Sequence, residues 1–175
     1  SAASDVYKRQ LVGCNGKMGK AVTSAVQSRN DCEIVFGADP FGTPAYDYPV
    51  FESLAVSDKK ADVIIDFSNP ASLDDILAYA LEKKIPCVLC TTGYSPEQVE
   101  KIKKASESVA VFYSGNMSLG INLLIELSKE AAKILGAADF DIEIVEKHHN
   151  QKIDAPSGTA LMIADGICLL YTSPS

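Results

Sequence analysis

The sequence predicts a doubly wound α/β domain with a parallel sheet, followed by an incomplete α+β domain that would hold a substrate. Two observations predict the first domain. Apolar, β-branched runs alternate with segments of helical periodicity, and a glycine-rich turn joins the first such run to the first helix. We expect the first domain to span residues 10–113 and the second to span residues 114–168.

Composition narrows the class of protein. The chain has 175 residues, 47% of them hydrophobic, and a formal net charge of −7. No apolar run is long enough to cross a bilayer, no secretory leader is evident, and the negative charge argues against nucleic acid and anionic membranes as partners. Five scattered cysteines indicate reduced thiols. We therefore expect a cytoplasmic protein with no nucleic acid or membrane partner.

The two ends of the chain carry no clear pattern. Residues 1–9 lack the apolar run expected of a first strand, so that Gln10–Val12 is its only remnant, and residues 169–175 are equally unpatterned. Both ends look like translated library adaptor joined to a gene fragment. We expect non-native ends and a truncated open reading frame, which sequencing the source locus would test.

The glycine-rich turn spans residues 13–19. Its glycines occupy the first, fourth and seventh positions, and Asn15 stands where the G-x-G-x-x-G fingerprint of Rossmann-like domains has its second glycine. Such a turn lets the backbone approach a pyrophosphate at a helix N-terminus, although a purely structural turn is the alternative. The predicted cofactor contacts here are Gly13, Cys14, Asn15, Gly16, Lys17 and Met18.

Asp39 ends the predicted second strand, residues 33–39, and lies twenty residues beyond Gly19. An acid at this place accepts hydrogen bonds from the ribose hydroxyls of a dinucleotide; the alternative is an aspartate that only terminates the strand before Pro40. The next basic residue is Lys59, so a 2′-phosphate has no obvious local partner. The sequence favours NADH over NADPH.

Three further strands are predicted at residues 61–68, 85–92 and 109–113, with helices that start at Asn69–Pro70 and at Ser95. Continuous apolar runs suit a parallel sheet that is covered on both faces. Ser95 with Pro96 and Gln98 forms a capping box, which predicts where its helix begins.

Ligands of such sheets bind beyond the carboxyl ends of the strands. Two stretches at these ends complete the predicted cofactor site, and their residues are Cys90, Thr91, Thr92, Ser114, Gly115, Asn116 and Met117.

Cys87 and Cys90 have the spacing of a redox or zinc pair. We favour a buried strand and no metal site, because residues three apart on a strand point to opposite faces.

The second domain leads to a histidine-rich loop. An amphipathic helix at 119–135 should end with Gly136 as its C-cap, and residues 140–146 alternate like a half-exposed strand of a second sheet. His148, His149 and Lys152 follow, and then a Pro-Ser-Gly-Thr turn in which Ser157 is the expected N-cap. These residues predict a site that binds a small anion and transfers protons to or from it. The alternative is that they form only a polar surface loop.

The stretch from Glu146 to Ala160, with the pattern E-x-H-H-x-x-K-x-D-A-P-S-G-T-A, resembles the signature of the dihydrodipicolinate reductase family, also called 4-hydroxy-tetrahydrodipicolinate reductases. The turn G-x-x-G-x-M-G and the stretch D-F-S-x-P from Asp66 are also similar to the family, and the resemblance covers about residues 11–167. The chain departs from the family pattern at Cys90, where a glycine is usual, and at Met117, where a phenylalanine is commoner.

The resemblance implies NAD(P)H-dependent reduction of 4-hydroxy-tetrahydrodipicolinate to tetrahydrodipicolinate, in lysine and diaminopimelate synthesis, by a homotetramer in the full-length form. The substrate would be a small dicarboxylate heterocycle. The implied roles are proton donor or acceptor for His148 and proton donor for Lys152. Substrate binding would fall to His149, Gly158 and Thr159, while Glu146 and Asp154 either orient the imidazoles or only solvate the loop.

Two alternatives remain open at this point. One is another nicotinamide-dependent dehydrogenase that uses a catalytic cysteine, although no cysteine here lies in a plausible nucleophile turn. The other is a truncated, non-catalytic nucleotide-binding fragment, because chains of the family continue well past Ile167.

Overall fold

A computed structural model describes residues 6–41, 46–148, 150 and 155–172, without the side chains of 169–172. The chain divides into two compact units, Ser1–Gly115 and Asn116–Ser175. We call them the first unit and the second unit. Among the described residues, no helix is both long enough and apolar enough to span a membrane.

The first unit contains a parallel sheet of six strands in the order β3-β2-β1-β4-β5-β6. The strand order reverses between β1 and β4, which is the topological switch point of a doubly wound sheet. The predicted Rossmann-like α/β architecture is confirmed. The strands are β1 Tyr7–Val12, β2 Cys32–Ala38, β3 Val50–Phe51, β4 Val63–Asp66, β5 Cys87–Leu89 and β6 Val111–Tyr113.

Three helices connect these strands: α1 Lys17–Gln27, α2 Leu73–Lys83 and α3 Pro96–Ser106. The predicted capping box of α3 is confirmed, because the Ser95 hydroxyl accepts from Gln98 N and the Gln98 side chain accepts from Ser95 N. Helix α2 ends at Lys83, because its C-cap Lys84 has a left-handed backbone with φ of 54°.

Apolar side chains cover both faces of the sheet. On one face, Phe36, Ile64 and Leu89 pack with the buried side of α2, which begins at the fully buried Leu73. On the other face, Leu11 packs with Ile34, Cys14 and the half-buried apolar residues of α1. Burial on both faces explains why these strands are continuous apolar runs rather than alternating ones.

Strand β1 begins at Tyr7, earlier than the sequence predicts. Backbone pairing with β2 extends back to Tyr7 although the side chains there carry no strand pattern. The register shifts between Arg9 and Gln10, and the side chain of Gln10 is fully buried beside Phe36 and Ile64. Within the described part of the chain, neither amide atom of Gln10 has a hydrogen-bond partner. A strand therefore forms through its backbone despite an unfavourable side chain.

The second unit contains two helices, α4 Leu119–Gly136 and α5 Gly158–Thr172. The predicted α4 is confirmed, and the Ser118 hydroxyl caps it by accepting from Ile121 N. The prediction of Gly136 as its C-cap is wrong. Gly136 is the last helical residue, Ala137 is the C-cap, and the left-handed conformation falls on Asp139 with φ of 60°.

The segment 140–148, which we call the connecting segment, has no regular secondary structure, so the predicted strand at 140–146 is wrong. Its alternation does reflect an apolar side: Phe140, Ile142 and Ile144 line a groove of about 590 Å³ together with α5 residues such as Ala164. A strand also needs a neighbour to complete its backbone hydrogen bonds, and the described residues of the second unit supply none.

Candidate functional site

The parallel register aligns the carboxyl ends of five strands in one row. Their last residues pair in sequence across the sheet: Ala38, Val12, Asp66, Leu89 and Tyr113. The residues that follow them therefore leave from one edge, and these are Asp39, Gly13, Phe67, Cys90 and Ser114. The fold thus brings the predicted cofactor residues of the first unit to a single edge of the sheet.

The glycine turn is built so tightly that side chains are excluded. Gly13 has φ of 75°, and a Cβ there would lie 2.5 Å from the carbonyl oxygen of Phe67. A Cβ on Gly19 would clash with the backbone of Gly13 and Cys14. Gly16 is the N-cap of α1, so the first backbone N–H groups of that helix face the turn without intrahelical partners. This end of α1 can hold an anion.

A cleft of about 350 Å³ lies over the turn at the switch point between β1 and β4. Its lining residues come from the turn, from the end of β2 and from the end of β4: Val12, Gly13, Asn15, Gly16, Ala38, Asp39, Pro40, Phe41, Phe67, Ser68, Asn69 and Ser72. Its volume falls in the range of small-molecule pockets. A glycine cradle, a helix N-terminus and an acidic rim together fit the phosphates and ribose of a dinucleotide.

Asp39 is held at the rim of this cleft by backbone groups. One carboxylate oxygen, Oδ2, accepts from Asn15 N, and the other, Oδ1, accepts from Phe41 N, both at 2.9 Å. The Asn15 amide donates in turn to Phe41 O. Asn15, at the place of the fingerprint's second glycine, therefore ties the turn to the carboxylate. A negative charge fixed here suits ribose hydroxyls and opposes a phosphate.

The other predicted residues of the turn serve different purposes. Cys14 is fully buried, and burial with nearby Asp39 raises the pKa of its thiol to about 11, so its side chain is a packing group. Lys17 and Met18 are exposed at the start of α1. The side chain of Cys14 thus faces away from any ligand, and only its backbone can take part.

Two tyrosines from the stretch between β2 and β3 support the turn. The Tyr46 hydroxyl donates to Cys14 O at 2.8 Å, and its ring stacks on that of Tyr48 with centroids 4.8 Å apart. The Tyr48 hydroxyl lies 2.7 Å from the hydroxyl of Thr23 on α1. The sequence held a weak signal for this role, since aromatic residues cluster before β3.

The ends of β5 and β6 also lie side by side. Ser114 N donates to Leu89 O at 3.0 Å, and a Cβ on Gly115 would lie 3.2 Å from Cγ2 of Thr92. Thr91 is buried and Thr92 is exposed. The structure therefore brings the predicted stretches 90–92 and 114–115 together.

Cys87 and Cys90 are both buried in this region. Burial, with Asp66 nearby, raises the pKa of each thiol to about 11. Reactive and metal-binding cysteines instead have lowered pKa values. The geometry favours the strand interpretation of this Cys-x-x-Cys over a redox or zinc pair.

Asn116 and Met117, the remaining predicted cofactor contacts, are the first residues of the second unit. The Asn116 side-chain oxygen accepts from Ser118 N at 2.9 Å, which fixes the approach to α4. Met117 is half exposed.

Asp66 begins the family-like stretch D-F-S-x-P and lies outside the predicted set of site residues. It is fully buried at the end of β4, where its carboxylate accepts from Ser68 N at 2.9 Å and from the Tyr94 hydroxyl at 3.1 Å. Burial, together with the charge of Asp66, raises the pKa of Tyr94. The signal available in the sequence was a carboxylate at a strand's carboxyl end.

In the second unit, Ser157 organises the start of α5. Its hydroxyl accepts from Ala160 N at 3.1 Å, and its carbonyl accepts from Leu161 N, which confirms the predicted N-cap. Ser157 N donates to Glu146 Oε1 at 2.7 Å, and its hydroxyl donates to Glu146 Oε2. Gly158 and Thr159 are the first helical residues, whose N–H groups have no intrahelical acceptor.

His148 lies beside this carboxylate, with Nδ1 3.6 Å from Glu146 Oε2. The described residues thus bring one imidazole, one carboxylate and one helix N-terminus together. His149, Lys152 and Asp154, which the sequence also suggested, lie outside the residues that the structure describes.

Comparison with known proteins identifies the family. Sequence models of the N-terminus and the C-terminus of dihydrodipicolinate reductase match residues 8–117 and 120–172. The 4-hydroxy-tetrahydrodipicolinate reductase of Clostridium tetani is 53% identical over 157 residues, which are 90% of this chain and 61% of that protein. The enzyme of the same name from Caldanaerobacter subterraneus subsp. tengcongensis is 52% identical over 155 residues, covering 89% and 61%.

A solved structure agrees with these matches. Dipicolinate-bound dihydrodipicolinate reductase from Paenisporosarcina sp. TG-14 superposes with a TM-score of 0.73 at 29% identity, covering 97% of this chain and 68% of that one. The chain spans 61% of the length of the two curated relatives. The resemblance stated from the sequence is confirmed, and the chain belongs to the dihydrodipicolinate reductase family.

Proposed function

We propose that residues 10–113 bind the cofactor and that residues 114–168 form part of the substrate site of an NAD(P)H-dependent 4-hydroxy-tetrahydrodipicolinate reductase of lysine and diaminopimelate biosynthesis. The observation that carries the proposal is the cleft at the switch point, where the glycine turn and Asp39 meet. Family membership supplies the reaction.

The nicotinamide cofactor would supply a hydride when bound. The N–H groups at the start of α1 and the backbone of the turn would bind its pyrophosphate. Asp39 would accept hydrogen bonds from the ribose hydroxyls, and residues 90–92 and 114–117 would contact the nicotinamide half. NADH is the proposed cofactor, because both carboxylate oxygens of Asp39 are fixed at the rim where a 2′-phosphate would have to lie.

The substrate is proposed to be a small dicarboxylate heterocycle. The relative of known structure is described with bound dipicolinate, which has this chemistry. The N–H groups of Gly158 and Thr159 would bind one carboxylate at the positive end of α5. His149 would help to hold the ring, Lys152 would neutralise the second charge and donate a proton, and His148 would be the proton donor or acceptor.

The cellular setting belongs to the same proposal. The scattered cysteines, an odd number, support a cytoplasmic location. We also propose a homotetramer for the full-length form, as the family resemblance implies, and no nucleic acid partner, in keeping with the negative net charge.

The test is an assay of NADH oxidation with freshly prepared substrate. We expect His148→Ala and Lys152→Ala each to lower the rate by about 10²–10⁴-fold, the usual contribution of a general acid or base. Lys147→Ala is the matched control, because it removes a neighbouring exposed charge. Wild-type turnover and substrate binding in both variants would contradict the assigned roles. NADH binding without any turnover would favour a non-catalytic nucleotide-binding fragment.

A further inference from the structure

We propose that Glu146 is a positioning residue, which presets the N-terminus of α5 for a carboxylate and holds the imidazole of His148 in one tautomer beside it. This inference rests on the proposed function and deepens it, because the implied catalytic set leaves the role of Glu146 open. The carboxylate has contacts with both parts of the site within a few ångströms.

The two carboxylate oxygens of Glu146 have different partners. Oε1 accepts from Ser157 N at 2.7 Å, and Oε2 accepts from the Ser157 hydroxyl. The same Oε2 lies 3.6 Å from His148 Nδ1. The Glu146 side chain is 29% exposed, so these contacts are partly shielded from water. The Glu146 side chain therefore lies between His148 and the start of α5, where its partner Ser157 is eleven residues along the chain from Glu146.

Two backbone donors at the start of α5 already have acceptors. Glu146 takes the N–H of Ser157, and the Ser157 hydroxyl takes the N–H of Ala160. The hydroxyl can accept in this direction because its own proton is directed to Glu146. Gly158 and Thr159 lie between these two, and theirs are the N–H groups proposed to bind the substrate. Glu146 thus satisfies the Ser157 N–H directly and supports the acceptor of the Ala160 N–H, so the pair between them is the one that we propose to receive the ligand.

The two contacts with Ser157 require a carboxylate at position 146. The backbone N–H and the hydroxyl of Ser157 both donate to this side chain. An ionised carboxylate presents two acceptor oxygens to them, whereas the amide of glutamine would place an NH₂ group against one of the two donors. The same carboxylate lies 3.6 Å from Nδ1 of His148, which is longer than a hydrogen bond, so it favours a proton on Nδ1 through its charge and leaves Nε2 to exchange a proton with a ligand. Glutamine at this position would keep the shape and lose one of these functions.

The experiment uses the full chain with Glu146→Gln, and with Glu143→Gln as the matched control because Glu143 is an exposed acid of the same connecting segment. Nitrogen-15 NMR reports the His148 tautomer and the amides of Ser157 and Ala160, and calorimetry reports the affinity for dipicolinate. We expect Glu146→Gln to shift both amides, to abolish the Nδ1–H preference, and to weaken dipicolinate binding by about tenfold. Glu143→Gln should change none of them.

A second variant keeps the test decisive if Glu146→Gln disturbs the folding of α5. Ser157→Ala removes only the hydroxyl link, so we expect weaker dipicolinate binding with the His148 tautomer unchanged. Unchanged affinity and an unchanged ring in Glu146→Gln would overturn the inference. Absence of dipicolinate binding by the wild type would instead overturn the proposed function, and the ring and amide signals would still decide the role of Glu146.

Discussion

The two units differ in how they cover their apolar residues. In the first unit, helices enclose both faces of the sheet, and side chains such as Phe36 and Leu73 are fully buried. In the described part of the second unit, Ile125 and Ala132 are the buried apolar residues, while Leu127 is 58% and Ile134 68% exposed. The first unit therefore has a hydrophobic core of its own, whereas the described part of the second unit buries few apolar side chains and joins its segments through polar contacts such as Glu146 with Ser157.

The largest expected effect tests this difference in the cores. Leu73→Ala should lower the free energy of unfolding by about 2–5 kcal/mol, because it leaves a cavity in the first unit. The matched change Leu127→Ala, on the exposed side of α4, should stay within about 0.5 kcal/mol. Urea unfolding followed by circular dichroism measures both. Equal losses would contradict the comparison.

Replacing Gln10 is expected to raise the free energy of unfolding, whereas replacing Leu73 should lower it. This side chain is fully buried, with no hydrogen-bond partner for its amide among the described residues. Gln10→Met has a similar shape and removes both unsatisfied atoms, so it should stabilise the first unit by about 1–3 kcal/mol. Gln27→Met, on the exposed surface of α1, is the control and should be nearly neutral. Destabilisation by Gln10→Met would mean that the amide does have partners.

The cysteines of the two units should differ in how fast they are alkylated, which a single experiment can measure. Burial raises the pKa of Cys14, Cys87 and Cys90 to about 11, so below that pH these groups remain protonated as well as enclosed. Cys168 in α5 is exposed. Alkylation near pH 8, read by mass spectrometry, should modify Cys168 first, and Cys14, Cys87 and Cys90 only after unfolding. Fast modification of Cys87 or Cys90 in the folded chain would revive the redox interpretation.

The smallest effect is expected from a surface ion pair of the first unit. Lys101 Nζ lies 2.7 Å from Asp74, but the two side chains are 52% and 66% exposed. Asp74→Asn should cost no more than about 1 kcal/mol in the free energy of unfolding. Lys103→Met breaks a similarly exposed pair within α3 and is the comparison. A loss as large as that of Leu73→Ala would show that surface charge, rather than the core, holds the unit together.

The sequence predicted the first unit well because its signals are local or periodic. Buried parallel strands are continuous apolar runs, and the capping box at Ser95 needs only residues within one turn. The doubly wound arrangement and the position of Asp39 at a strand's carboxyl end then follow from the rules for such sheets, whereas the order of the strands was not predicted. Family resemblance supplied the reaction, which no periodicity contains.

The misses depend on contacts between distant parts of the chain. Alternation at 140–146 correctly marks an apolar side, but a strand also requires a neighbour. The Tyr46 hydroxyl donates to Cys14 O, and the Tyr94 hydroxyl donates to the Asp66 carboxylate. Both hydrogen bonds join residues that are far apart in the sequence, so no local pattern specifies them. The strand at Tyr7 forms through backbone pairing with β2. In each case the tertiary partner decides the outcome.

The most direct test of the account is a titration of the chain with NADH, monitored by the backbone amide signals. We expect saturable shifts at Gly13, Gly16 and Asp39, and about tenfold weaker NADH binding in Asp39→Ala with a smaller change for NADPH, because one charged hydrogen-bond acceptor is removed. Shifts that leave the glycine turn untouched, or equal affinity of wild type and Asp39→Ala for NADH, would contradict the claim that this cleft holds the cofactor.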